Sequence, residues 1–517
     1  MATLKLSLGL NRVSPSHELL AEEGGFIQCQ KLQNFICRDK KITKIGGTEH
    51  YNPTSLGTYG VPWVHRGYFK RGDNSFRKVV FCYHNGEIYY GDDVAQTLTS
   101  AQAGFDTTAI PQSTTMQVAG NSILYFYSGE DEVYKYDGNG SYQWEKTSVN
   151  EDLGRTVIGS AVHLDRMWYV SKDSSTIAYS TTLLPEDFAQ DAGDITIGQE
   201  TNSVAQALVV GADETLYIFK NQSIWRLSGR TPATFQIRKI TDKYGLATKR
   251  AIYPVGSGFV FLDEFTKELY FFGGTESSIK PLTERDIRLR DILDLNQIEK
   301  VCMTVHDGLF RFSFKHKDDN EFQDRELIYS IAEPGPGNLP KWSMSKGAKV
   351  YSYSVWNQQG DDEELVTGRI DLGKIMYHNR NDNWDLDTPI ETVVRTAEVS
   401  LGKDNEVARV SDFTIKGKPG SRTSPVTFKY FLDGRDGQPG IEEQIMKGET
   451  RMVGSIELSR QVFFNTRIIP TVDRSRGTSI SVEISDNNLN TDMEMYSVSF
   501  TATPRFKRRT QIDHVSP

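Results

Sequence analysis

Four aspartates sit where short apolar runs turn back on themselves: Asp213, Asp263, Asp307 and Asp371. Two acids converging on one bond could protonate a leaving group while the other activates water or forms a covalent intermediate, which is glycosidase chemistry. A turn aspartate also has a simpler use, because its side chain caps the backbone of its own turn. The expectation here is turn capping. Asp382, Asp385 and Asp387 offer hard oxygen donors of the kind that bind Ca²⁺. They lack the glycine and alternating spacing of an EF-hand loop and read as a solvated linker. Phe431 to Gly437 carries Asp433 and Asp436 and faintly suggests the Asp-rich hairpin of sialidases, without the expected tryptophan. Arg71-Gly72-Asp73 matches an adhesion tripeptide that a long chain meets by chance.

Other chemistry is missing at the motif level. No Gly-x4-Gly-Lys-Ser/Thr, Gly-x-Gly-x-x-Gly between strand and helix, His-Glu-x-x-His, Cys-x-x-Cys or Gly-x-Ser-x-Gly occurs. The histidines are dispersed, and Cys29, Cys37, Cys82 and Cys302 are too few for a disulfide framework or a zinc site. Free thiols, no metal, no cofactor and no catalytic residue are expected. Two charged segments are candidate partner contacts. One is the basic cluster Arg505, Lys507, Arg508 and Arg509. The other is the loop from Lys315 to Arg325 with Asp318 and Asp319. A solubilising tail and an exposed hairpin tip are the plain alternatives.

The elements that carry these residues repeat. In the middle of the chain, Gln206–Val210, Thr215–Phe219, Ser223–Leu227 and Thr234–Arg238 are four short strands, separated by Asp-, Asn-, Gly- and Pro-containing breaks. The inner pair recurs at Val79–Tyr83 with Glu87–Tyr90, Ile123–Tyr127 with Val133–Tyr136, and Met167–Ser171 with Thr176–Ser180. It recurs again at Phe259–Leu262 with Leu269–Phe272, Leu309–Phe314 with Leu327–Ile331, and Leu365–Ile370 with Lys374–Tyr377. A four-strand unit at roughly 40–50 residues is the period of a propeller blade. The chain is therefore expected to be all-β, a six- or seven-bladed β-propeller over residues 55–386, followed by a C-terminal β-sandwich over 387–503 and a basic tail over 504–517. Residues 1–54 supply strands that lead into the propeller or help to close it. One short surface helix is expected from Thr283, where Ile287, Leu289, Ile292, Leu293 and Leu295 recur at near-helical spacing among Arg285, Arg288 and Arg290.

Composition fits this reading. The 517 residues include 43 Gly, 23 Tyr and 26 Phe, as many short strands and tight turns require, and the net charge is -9. An acidic chain is not a dedicated nucleic-acid binder, which would show a basic face. No apolar run approaches the ~20 residues of a membrane helix. Met1 to Leu10 lacks the apolar core of a signal peptide, so none is expected, and the few scattered cysteines read as thiols in a reducing compartment.

Three segments resemble one family. Leu32-Gln33-Asn34-Phe35-Ile36 through Lys41-Ile42-Thr43-Lys44-Ile45-Gly46-Gly47 is similar to the opening of bacteriophage tail propeller proteins, with Lys40 where the turn more usually has Gly. The blade array is the second resemblance. The third is C-terminal: Phe428 to Gly434, the basic strand starts at Arg451 and Arg467, and Ile480 to Asp486. The resemblance implies a tail nozzle, tail hub or packaged-DNA stabilisation protein of short-tailed phages. It implies a virion structural subunit without catalysis, in a ring of commonly six copies below portal and adaptor. There it would extend the DNA channel, retain the genome and open for ejection. An acidic wall would let double-stranded DNA slide without binding it specifically. The competing classes are a carbohydrate-active propeller enzyme and a non-viral propeller interaction scaffold.

Overall fold

The computed structural model describes the chain apart from residues 1, 6–20, 23–25, 28, 39–40, 72–74, 92–95, 199–202, 320–322, 333–339, 357–363, 379–382, 385–387, 402–406, 420–424, 434–440, 447–463, 469–475, 488–492 and 505–517. It divides into two units. One holds Met1–Ile45, Tyr329–Ser345 and Asp387–Pro517; the other holds Gly46–Ile328 and Lys346–Leu386.

The second unit is a β-propeller of seven blades. The first blade is Trp63–Lys70, Phe76–His84, Glu87–Gly91 and Leu98–Ala103, hydrogen-bonded in that order. The second to fifth blades open on Gln112–Val118, Val157–His163, Ala205–Val210 and Ile252–Val255, each heading a four-stranded meander. The sixth takes Cys302–His306, Leu309–Phe314 and Arg325–Ser330 in sequence. The seventh is Val350–Trp356, Glu364–Arg369 and Ile375–His378, and its fourth strand comes from the start of the chain, where Thr48–His50 pairs antiparallel with Ile375–His378. An N-terminal strand that completes the last blade fastens the ring, because it ties both ends of the repeat array into one sheet.

The second strand of each blade lies between neighbouring blades and is buried on both faces, so it reads as a continuous apolar run rather than an alternating one. Arg166–Ser171, Leu216–Lys220, Gly258–Leu262 and Leu309–Phe314 are buried at every position. Aromatic rings fill the wedges between blades. Phe69 and Phe81 of the first blade meet Tyr136 of the second edge-on at 4.9 and 4.8 Å, and Phe81 meets Trp144 at 5.0 Å. Tyr217 of the fourth blade meets Phe272 of the fifth at 5.2 Å. Such pairs add about 0.5–1.5 kcal/mol each beyond their area. The hairpins turn tightly: Asn85-Gly86 and Asp307-Gly308 both take positive φ at their two central residues (47° and 82°, 48° and 66°). That backbone matches the twist of the flanking strands and favours Asn or Asp followed by Gly.

The expected helix after Thr283 does not form. Leu289–Asp291 and Leu295–Lys300 are 3-10 turns, and Arg288, immediately before the first, takes φ +49°. The cause is Glu268, which is buried and accepts hydrogen bonds from Thr283 Oγ1, from Leu289 N at 2.9 Å and from Arg290 N at 3.1 Å. The carboxyl takes the amides that a helix would have used, and Ile287, Leu289, Ile292 and Leu293 are buried by a folded loop instead. The described α-helix is Val149–Leu153, elsewhere in the propeller.

In the first unit, Ala408–Pro419 pairs antiparallel with Met493–Pro504 and with Phe464–Ile468. A further sheet contains Cys29–Gln33, Thr392–Thr396, Ser479–Asp486, Pro425–Leu432 and Ile441–Met446. Phe413 of the first sheet packs on Phe428 and Tyr430 of the second at 5.2 and 5.0 Å. Lys44 and Asp486 form a buried ion pair at 4.0 Å in the same unit.

Candidate functional site

The opening strands of all seven blades surround an axial cavity of about 370 Å³. Its wall takes Trp63 and His65 from the first blade, Gln112 and Thr114 from the second, Ser160 from the third, Gln206 from the fourth, Tyr253 from the fifth, Cys302 from the sixth, and Ser352 to Ser354 from the seventh. Most of the wall's polar groups are committed to neighbouring blades. Thr114 Oγ1 donates to Ser160 O at 3.0 Å, Ser160 Oγ to Tyr127 Oη at 2.7 Å, and Ser352 Oγ to Val61 O at 2.8 Å. Trp63 Nε1 donates to Ser113 Oγ at 3.0 Å.

Lys249 and Arg250 also line this cavity, from the connection between the fourth and fifth blades. That connection reaches across the axis. Gln112 of the second blade donates to Lys249 O at 3.1 Å, and Arg250 Nη2 donates to Tyr351 O of the seventh. The Arg250 guanidinium lies 5.6 Å from the Tyr351 ring centroid. Lys249 Nζ stands 3.2 Å from where a side chain on Gly129 would begin, in a turn of the second blade. Burial, reinforced by the Arg250 charge, holds the Lys249 ammonium down to about 8. Lys249 is half-buried as a residue and is among those that line the cavity. Burial lowers His65 to about 4 and raises Cys302 to about 12. At neutral pH, then, the imidazole is uncharged, the thiol is protonated, and the cavity's charge is cationic. Among its described lining residues there is no Asp or Glu.

A second polar group lies behind the wall. Tyr353 Oη donates to Glu326 at 2.5 Å, Glu326 stands 3.6 Å from Arg311, and Arg311 Nη1 donates to His378 Nε2 at 3.0 Å. Arg311 and Glu326 are fully buried, so each charge depends on the other. Burial, then the charges of Arg311 and His306, push His378 well below its ordinary value. The row ties the sixth blade to the seventh.

The turn aspartates are committed to structure. Asp213 accepts from Thr215 N at 3.2 Å and Tyr217 Oη at 2.9 Å. Asp263 accepts from Gly245 N, Phe265 N, Thr266 N and Thr266 Oγ1. Asp371 pairs with Arg369 and Lys349, which hold its carboxyl below the usual range against the effect of burial. Asp307 takes the first position of a tight turn, at φ 48°. None of Asp213, Asp263, Asp307 and Asp371 lines the axial cavity. Asp433 accepts from Thr478 N at 2.6 Å and Ser479 N at 3.2 Å. In the charged loop Asp319 forms a two-bonded pair with Arg325 at 2.8 and 2.9 Å, whereas Asp318 is exposed beside His316 at 3.6 Å. Arg505, Lys507, Arg508 and Arg509 lie outside the described residues, as do Asp382, Asp385 and Asp387 and most of the adhesion-like tripeptide. The four cysteines are buried and form no disulfide, and no metal-holding cluster exists among the described residues. No described helix is long and apolar enough to cross a membrane.

Sequence reasoning missed Lys249 and Arg250. A signal was present: a dibasic pair in an inter-blade connection, two residues before the inner strand at Ile252.

No family model and no curated protein matches the chain. Solved structures do. Virginiamycin B lyase from Staphylococcus aureus is 11% identical with a TM-score of 0.39, over 62% of this chain and 94% of that one. A streptogramin B lyase is 13% identical with a TM-score of 0.38, over 64% and 96%. The β-propeller domain of Cps50 (Swd1) from Myceliophteria thermophila is 11% identical with a TM-score of 0.38, over 64% and 98%.

Proposed function

We propose that this chain is a structural subunit of a short-tailed phage tail, of the nozzle or hub kind. Copies assemble as a ring, six being the expected number, below the portal and adaptor. The ring extends the DNA channel, retains the packaged genome and permits its ejection. The reading is of a virion tail protein assembled in the host cytoplasm, working without catalysis or cofactor.

The observation that carries it is the work done by the residues on which the family resemblance stands. Asn34 is buried at φ 57°, accepts from Ile45 N at 3.0 Å, and sends its side-chain amide to Glu391 O at 2.7 Å. It therefore links the opening phrase, whose far end is Ile45-Gly46-Gly47, to the C-terminal segment. Asp433 takes φ 54° and caps the start of Ser479–Asp486. The commitment of the turn acids to caps and ion pairs supports a wall rather than an active site. The net charge of -9 supports passage of DNA without adhesion, since a binder would instead release counterions from phosphates through lysine and arginine contacts.

Negative-stain images of the purified full chain across a concentration series test this reading. Ring-shaped multimers, sixfold in projection, are expected. Monomers at every concentration, together with hydrolysis of a glycoside panel, would overturn it.

A further inference from the structure

We propose that the axial cavity of the propeller binds a small molecule through an anionic group, a carboxylate or a phosphate, seated against Lys249 and Arg250. The inference concerns a single propeller and stands apart from the tail reading, because a cavity of about 370 Å³ admits a small ligand and no duplex. That volume lies at the lower end of the ~300–1,000 Å³ usual for ligand sites.

Two cations line one cavity, and none of its described lining residues is acidic. Glu130 is the carboxylate that acts on Lys249. It is already held by Lys172, whose ammonium lies 2.7 Å from both of its oxygens. Lys249 is thus left with a compensated acid on one side and Arg250 on the other. Burial is the main cause of its lowered value, and the Arg250 and Lys172 charges add to it. A ligand anion would offset those charges, and charge-assisted hydrogen bonds are the strong kind.

Hydrogen-bond supply points the same way. The wall hydroxyls of Thr114, Ser160 and Ser352 spend their protons on neighbouring blades. Arg250 gives Nη2 to Tyr351 O, while its Nη1 is buried with no protein acceptor. A buried donor without a partner is unfavourable, and a ligand oxygen that reached it would supply the missing acceptor. Tyr253, half-buried in the wall, lines the same cavity.

The pH behaviour follows from the groups around the ammonium. Arg250 comes from its own loop, Glu130 and Lys172 from turns of the second and third blades, and His65, Cys302, Tyr253 and Tyr353 from the wall. His65 and Cys302 are held at about 4 and about 12, and Tyr353 is pushed well above its ordinary value. Lys249 is the group that changes charge near pH 8. Affinity for an anion should fall as pH rises from 7 to 9, by up to about tenfold, the change in the protonated fraction.

Calorimetric titration of the full chain with inorganic phosphate, and separately with citrate, tests the site. One saturable site per chain is expected, weakened at least about tenfold by Lys249→Met and by less than about threefold by Lys249→Arg. A response to phosphate alone or citrate alone identifies which anion source the cavity takes. A second measurement needs no variant: acetic anhydride labelling at pH 7.5, read by mass spectrometry, should acetylate Lys249, and the effective probe should protect it. Failure of both probes to bind up to about 50 mM overturns the proposal. So does binding that Lys249→Met leaves unchanged, or labelling of Lys249 that neither probe slows.

Discussion

Replacing Asp263 with alanine should destabilise the propeller by about 2–4 kcal/mol. The side chain is fully buried and accepts from Gly245 N at 2.8 Å, Phe265 N at 3.1 Å, Thr266 N at 2.8 Å and Thr266 Oγ1 at 2.9 Å. Gly245 is buried against the preceding blade. A methyl group there would begin 2.0 Å from Asn221 O, so the backbone cannot turn its N–H elsewhere. Stranding that amide costs about 1–3 kcal/mol, and the turn bonds, which water can partly replace, add about 1 kcal/mol. Asp263→Asn should recover less than half, because its NH₂ would face a donor. The assay is equilibrium unfolding in urea followed by tryptophan fluorescence. A loss under about 1 kcal/mol would refute the argument and reopen a chemical role for this carboxyl, since a catalytic acid can be removed without unfolding its scaffold.

Two further outcomes follow from the ring closure and the cavity. Asn52 is buried, donates to Thr54 O at 2.7 Å and Gly373 O at 3.3 Å, and accepts from Ile375 N at 2.7 Å. Asn52→Ala should cost about 2–3 kcal/mol and speed limited proteolysis near Thr48–His50, because these bonds pin the closing strand to the seventh blade; an unchanged cleavage rate counts against that role. His65 is held at about 4 by burial. Its folded value lies below the unfolded one, so its contribution is complete above pH 6.5 and is lost as pH falls toward 4, on the order of 3 kcal/mol. His65→Gln should flatten the stability profile across that window, as read by thermal unfolding from pH 7 to 4; a parallel profile would contradict the assignment.

Much of the propeller was legible in the chain because blade strands and hairpin turns are local. The paired runs at Phe259–Leu262 and Leu269–Phe272, and at Ile123–Tyr127 and Val133–Tyr136, lie within a residue or two of the observed strands. The segment after Thr283 misled because periodicity cannot see Glu268, which arrives from the turn before Leu269–Phe272 and takes the helix's amides. The turn aspartates were read as caps for a local reason and were found so at Asp213 and Asp263. Ile441–Met446 passed unnoticed, since its Glu442-Glu443-Gln444 centre carries little apolar signal and its partner is Pro425–Leu432.

The chain by itself determined the all-β class, the repeat and the places where it turns, because each depends on residues close together in sequence. Tertiary structure alone decided that there are seven blades, that Thr48–His50 completes the last of them, and that Lys249 and Arg250 meet across an axis from Gln112 and Tyr351. Those facts belong to ring closure. A blade's period fixes its own strands, but the number that closes a ring is set by how aromatic wedges pack between neighbours. The charge of -9 describes the whole chain. The cavity lined by all seven blades is cationic, because two basic residues of a single inter-blade connection line it and no acid among its described lining residues does.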